Sequence, residues 1–181
     1  MRNWIIWHYT FGQATRRKFA KSHTHIFYFV KDPKQFTFND ELIRVPSDRQ
    51  LIYNDRRANP AGKIPDDVWT VSRVCGTFKE REQWHPCQMP ELLLERIIVA
   101  SSNPGDLVFD PFAGSGTTLA VAKRFGRHWL GTDISDDYVR KANQRLRGVR
   151  VAHDHIGRQL PPIPEPERKT AGGQNDMFVG G

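Results

Sequence analysis

The sequence predicts an α/β fold built on a parallel, doubly wound sheet, and three observations carry that prediction. Two short apolar runs, Leu107-Val108-Phe109 and His128-Trp129-Leu130-Gly131-Thr132, flank a stretch with helical periodicity. A glycine-rich turn, Ala113-Gly114-Ser115-Gly116, sits where the first run ends and that helix begins. After the second run, Ser135 stands at the capping position of a further helix, acidic at its start (Asp136, Asp137) and basic toward its end (Arg140, Lys141, Arg145, Arg147). Strand, loop, helix, strand, helix is the order that a right-handed parallel crossover requires.

The elements follow in order. Trp4-Ile5-Ile6-Trp7-His8-Tyr9 is apolar enough for a buried strand. After a basic connection (Arg16, Arg17, Lys18, Lys21), a second strand runs from about His25 to Val30 and stops at Asp32-Pro33. From 36 to 69 periodicity dissolves among turn formers (Pro46, Pro60-Ala61-Gly62, Pro65), so this part is expected to be an irregular, basic insertion. Glu91 to about Ser101 is a helix: Leu93, Ile97 and Ala100 form one stripe, with Leu94 and Ile98 beside it. Pro90 suits its first position. Asn103-Pro104-Gly105 is a turn, and the helix from about Ser115 to Phe125 closes at Gly126. Beyond Gly148 the chain turns Pro- and Gly-rich, and 151–181 reads as a tail. The organisation expected is therefore late sheet strands in 1–35, an insertion in 36–69, the regular α/β region in 70–150, and the tail.

Charge and cysteine usage narrow the classes. The formal net charge is +7, and residues 1–84 hold fifteen Lys or Arg against nine Asp or Glu, so the excess lies almost entirely in the first half. A localised positive field of this kind suits a phosphate backbone. Cys75, His85 and Cys87 lack a fourth ligand at sensible spacing, so no metal site is expected. No apolar run reaches the length of a membrane span and no signal pattern precedes the first strand, which makes a cytoplasmic setting the expectation.

The segment Phe109-Asp110-Pro111-Phe112-Ala113-Gly114-Ser115-Gly116-Thr117-Thr118 carries most of the functional information. It lies at the carboxyl edge of a parallel sheet, where ligands of open α/β folds bind. Gly114 and Gly116 let the backbone approach a ligand closely. Amides at the following helix start, with the hydroxyls of Thr117 and Thr118, suit a carboxylate, and Asp110 suits an amine. Asp133, nineteen residues after Gly114 and followed by Ile134, stands where a carboxylate can accept both hydroxyls of a ribose. An amino-acid zwitterion at one end and a ribonucleoside at the other together describe S-adenosylmethionine. A dinucleotide fingerprint would need a third glycine where Leu119 stands, and no phosphate loop of the G-x-x-x-x-G-K type occurs. A glycine turn that only packs helix on sheet is the other reading.

The wording of this loop resembles the cofactor motif of amino-group DNA methyltransferases, which modify N6 of adenine or N4 of cytosine. His85-Pro86-Cys87-Gln88-Met89-Pro90 resembles the His-Pro-Thr-Gln-Lys-Pro segment of that family's permuted (beta) class. The strands around Trp4 and Ile26 resemble its late antiparallel strands, and Arg73-Val74-Cys75-Gly76-Thr77 has its look. The resemblance spans roughly residues 2–150. It implies a Rossmann-like S-adenosylmethionine-dependent methyltransferase fold, incomplete at the amino-terminal side, in a setting of DNA methylation and restriction-modification. It also implies that His85, Pro86 and Gln88 lie against the cofactor. By the same resemblance the 36–69 insertion corresponds to a target-recognition region, with Arg44, Arg49, Tyr53, Arg56, Arg57 and Lys63 contacting double-stranded DNA.

Two departures stand out. Cys87 and Met89 replace the family's Thr and Lys. The Asp/Ser-Pro-Pro-aromatic motif that grips the flipped target amine is absent, since Pro161-Pro162 has neither acid nor aromatic beside it. The expectation is a fragment, or one half of an enzyme completed by a second chain. A non-catalytic DNA-binding remnant that keeps the cofactor fold is the alternative. In the tail, Gln174-Asn175-Asp176-Met177-Phe178 is similar to peptides that bind the bacterial sliding clamp.

Overall fold

The computed structural model describes residues 1–9, 12 and 15–152; the tail, with the clamp-like peptide at 174–178, lies outside them. Strands β1 (Asn3–His8) and β2 (His23–Tyr28) pair antiparallel, with Trp4 opposite Phe27 and His8 opposite His23. Alternation sets the faces: Ile5 and Trp7 point into the core, while Trp4 and Phe27 stay exposed on the outer side.

The sequence offered no third strand here, yet β3 (Val68–Thr70) pairs parallel to β1, Trp7 opposite Trp69. Three residues are too few for alternation to register. Trp69 is nonetheless buried, its indole N–H donating to the Asp66 carbonyl at 2.7 Å. Two single-turn helices, α1 (Asp40–Ile43) and α2 (Asp48–Leu51), also break the expected irregularity of 36–69. Ile43 enters the core, and the side-chain amide of Asn39 donates to the carbonyls of Val99 (3.0 Å) and Ser102 (2.9 Å). The segment is thus anchored at both ends rather than draped outside.

Helix α3 (Glu91–Ser101) joins the two halves. Leu93, with no exposed surface, packs under β1 and Trp69, whereas Ile98, Val99 and Ala100 meet Val121, Ala122 and Phe125 of α4 (Thr117–Arg124). Full burial of each such side chain contributes about 1.5–3 kcal/mol. Pro90 stands one residue before the helix, in extended backbone. The carboxylate of Glu80 accepts the first helical amide, that of Glu91, at 2.9 Å.

Strands β4 (Leu107–Asp110) and β5 (His128–Gly131) pair parallel, and α5 (Asp136–Gly148) follows, capped by Ser135 as expected. Val108 and Trp129 face the helices. On the opposite face Leu107, Phe109 and Leu130 are more than half exposed, so helices cover only one side of this pair among the described residues. β2-β1-β3 and β4-β5 form two separate sheets. None of the helices among the described residues is long and apolar enough to cross a membrane.

Candidate functional site

The loop between β4 and α4 is held from four directions. At its start, an Asp110 carboxylate oxygen accepts the Phe112 amide at 3.0 Å. The Ala113 amide donates to the Thr132 carbonyl at 2.9 Å, and the Thr132 hydroxyl donates to the Pro111 carbonyl at 2.9 Å, tying the loop to the end of β5. Asp133 accepts the Gly114 amide on one oxygen (2.9 Å) and the Ser135 amide on the other (3.0 Å). These two amides are the main cause of a pKa held below the ordinary aspartate value, so the group is anionic at neutral pH. Each oxygen keeps lone-pair capacity for a further donor.

Gly114 and Gly116 have φ of +49° and +72°, a region that L side chains avoid. A Cβ at Gly114 would lie 2.8 Å from His85 Nε2, and one at Gly116 would lie 3.0 Å from Ala142 Cβ. The helix therefore starts at Thr117, two residues later than the periodicity suggested, and its first-turn amides have no intrahelical partner.

Arg145 braces the loop from behind. Its guanidinium donates to the Ser115 carbonyl (2.9 Å) and Thr117 Oγ1 (3.1 Å), and pairs with Glu91 (2.8 Å) and Glu82 (3.3 Å). Sequence reasoning assigned Arg145 only to the helix dipole. The missed signal is its spacing: Tyr138, Ala142 and Arg145 recur on one face of α5, and all three meet the loop or its neighbours. Thr117 is buried, and its hydroxyl contacts both Ser115 Oγ (2.9 Å) and Arg145, so it is directed inward, away from the ligand side where it was expected. Thr118 is half-buried.

The His85 ring lies against Gly114 and stacks edge-on to Tyr138, 4.9 Å between centroids, with Trp84 beside both. Burial lowers its pKa against the opposing pull of Asp133, so the imidazole is neutral at physiological pH. Pro86 is exposed next to it. Gln88 is buried, with its amide donating to the Glu80 carbonyl (2.7 Å) and its oxygen accepting the Glu82 amide (2.7 Å). It shapes the 80–82 turn instead of facing the open side. Phe112 and Ile134 are almost fully exposed, one on either side of the loop.

The residues expected to meet DNA do not form one set. Arg44 is held by Asp40 (2.5 Å) and the Gly62 carbonyl (3.0 Å), bracing the insertion. Arg49 and Arg57 converge on Asp55, at 2.7 and 3.0 Å, and hold its carboxyl well below the usual range. Lys63 pairs with Asp66 at 2.6 Å. Tyr53 and Arg56 are exposed.

A family model described as DNA methylase (N6_N4_Mtase) matches residues 1–144. The chain is 41% identical over 162 residues to the Type II methyltransferase M.HpaI of Haemophilus parainfluenzae, covering 90% of this chain and 50% of that protein. It is 42% identical over 176 residues to the DNA adenine methyltransferase YhdJ of Escherichia coli (strain K12), covering 92% and 57%. Among solved structures, the M1.HpyAVI–SAM complex superposes with a TM-score of 0.57 at 26% identity, over 80% of this chain and 61% of that one. The cytosine-N4-specific PvuII DNA methyltransferase shares the fold, with a TM-score of 0.56 at 19% identity, over 78% of this chain and 49% of its own. The chain spans about half the length of the curated relatives it matches. An α/β loop of this build, on a chain matched from its first residue to 144, leads to one conclusion: the chain belongs to the DNA methylase family.

Proposed function

We propose that this chain is the cofactor-binding part of an S-adenosylmethionine-dependent DNA methyltransferase that acts on an exocyclic base amine, N6 of adenine or N4 of cytosine. The observation that carries the reading is Asp133. Its carboxylate lies at the carboxyl end of a parallel strand pair, bridges the Gly114 and Ser135 amides, and keeps acceptor capacity for a ribose. The bare backbone at Gly114 and Gly116 fits close approach by the methionine end. Its carboxylate suits the first-turn amides of α4, and its amine suits Asp110. Phe112 and Ile134 offer apolar surface to the adenine. When bound, the cofactor supplies an electrophilic methyl group on sulfonium. The chain's own part is to bind and orient it, with neutral His85 packed against the loop and excluding water from one side.

Tyr53 and Arg56, with Arg49, Arg57 and Lys63 at the margin, are proposed to approach duplex DNA, with the cytoplasm as the setting. Arg44 serves to hold their loop. A second reading is a DNA-binding remnant that keeps the cofactor fold without catalysing methyl transfer.

The test is calorimetric titration with S-adenosylmethionine, followed by transfer of labelled methyl to unmethylated DNA. Binding is expected, and Asp133→Ala is expected to weaken it about tenfold to a hundredfold, the loss of hydrogen bonds to a charged group. Absence of binding by the wild-type chain would sink the proposal. Label entering DNA from this chain alone would sink the remnant reading and show that an acceptor site lies within these residues.

A further inference from the structure

Arg96 lies in the middle of α3, on the wall of a cavity of about 410 Å3 that Ile5, Ile26, Trp69, Ile97 and Ala100 help to line. Only 6% of the residue is exposed. Its guanidinium stacks 5.2 Å over the Trp69 ring, and among the described residues no carboxylate or carbonyl accepts from it. Burial pulls its pKa down, to about 10. Asp66 and Asp67 also line the cavity, but both are exposed, and Asp66 is engaged by Lys63 at 2.6 Å. Tyr28 lines the same cavity, its hydroxyl buried and without a hydrogen-bond partner among the described residues. Burial keeps that phenol protonated, hence a donor.

A buried cation without a counter-charge and an unsatisfied buried hydroxyl both destabilise the chain on its own. Both line one largely apolar space, and a guanidinium with no acceptor among the described residues can take a bidentate one. We propose that this cavity is the docking socket for an apolar polypeptide segment bearing a carboxylate, gripped by Arg96 and Tyr28. The segment belongs to the half of the family's length that this chain does not span. The proposal rests on the methyltransferase reading above.

Three further features argue for polypeptide as the occupant. The relatives are about twice as long as the matched region. The face of β4 and β5 bearing Leu107, Phe109 and Leu130 lacks a covering layer among the described residues. Among the described residues β2 is paired on one side only. The same missing chain that would cover these surfaces would bring the carboxylate.

The test is co-expression of this chain with the part of the Escherichia coli relative that lies outside the match, using wild type, Arg96→Leu and Tyr28→Phe. The expected result is a reversal of sign. Arg96→Leu raises the Tm of the chain alone, because an unpaired buried charge is gone, yet weakens association at least tenfold; Tyr28→Phe weakens it less. As a second probe, 3-phenylpropanoate should raise the Tm of the wild-type chain and not that of Arg96→Leu, while 3-phenylpropan-1-ol does nothing. Association indifferent to residue 96, or equal response of both chains to the carboxylate, overturns the proposal. S-adenosylmethionine binding by the lone chain, measured in parallel, reports separately on the functional reading, since Arg96 lies on the far side of α3 from the cofactor loop.

Discussion

Gly114 adopts φ +49°, and a Cβ built there would lie 2.8 Å from His85 Nε2. Two separate penalties follow for any other residue: the left-handed backbone, about 1–3 kcal/mol, and the contact with the imidazole. Gly114→Ala is therefore expected to lower Tm and to weaken cofactor binding at least tenfold. In a His85→Ala background the contact vanishes while the backbone penalty stays, so only part of the loss should return. Thermal denaturation of the four chains separates the two terms, and full recovery would show that backbone strain is unimportant here. Such detail lay partly within reach of the sequence. The glycine pair and Asp133 were legible because a turn and a carboxylate at this spacing demand particular residue types. Gln88 and Thr117 were not, because whether a polar side chain faces a ligand or its own loop depends on neighbours distant in sequence.

At the level of elements, the cofactor loop depends on three helices that meet through charge. Glu91, at the start of α3, receives both Arg124 of α4 (2.5 Å) and Arg145 of α5 (2.8 Å). Arg145 is 8% exposed and also donates to the Ser115 carbonyl, so its removal leaves buried acceptors and Glu91 half-served. Breaking such a buried pair from one side costs about 3–5 kcal/mol. Arg145→Ala is expected to lose stability on that scale and, through the loosened loop, cofactor affinity. Arg145→Lys should rescue little, because one ammonium cannot replace a fork serving two elements. Urea denaturation with parallel calorimetry reads both quantities, and an Arg145→Lys chain as stable as wild type would refute the argument. The elements themselves were largely legible: α3, β4, α4, β5 and α5 carry strong periodicity and end signals. β3 and the single-turn helices α1 and α2 were not. Three or four residues show no period, and they form because Trp69 and Ile43 find a core built by other segments.

At the scale of the whole molecule, one face of the β4–β5 pair has no covering layer among the described residues. Leu107 is 62% exposed, Phe109 54% and Leu130 52%, side by side on adjacent strands. A patch of this kind, beside unpaired strand edges, favours association of the chain with itself. Leu107→Lys is expected to lower concentration-dependent light scattering without changing S-adenosylmethionine affinity, since the side chain points away from the loop. Scattering unchanged by the substitution would mean that the open face is not what associates. The basic first half reads differently once folded. Of the cations that the sequence pointed to as DNA contacts, Arg44, Arg49, Arg57 and Lys63 are paired with acids of their own segment, so the field offered to a phosphate backbone is weaker than the composition implies.

The sequence by itself determined the α/β architecture of residues 91–148, the glycine loop between β4 and α4 with Asp133 opposite it, and the family. Each of these rests on local rules: side-chain period, glycine at positive φ, and a carboxylate at a strand end. Only the tertiary structure decided which polar groups remain free. It turned Thr117 and Gln88 inward, placed Arg145 behind the loop, paired most of the basic insertion with its own acids, and put Arg96 and Tyr28 in one cavity without hydrogen-bond partners among the described residues. The physical reason is that hydrogen bonding and charge pairing are settled by proximity in space, and a residue's type records what it can bind without recording what lies beside it.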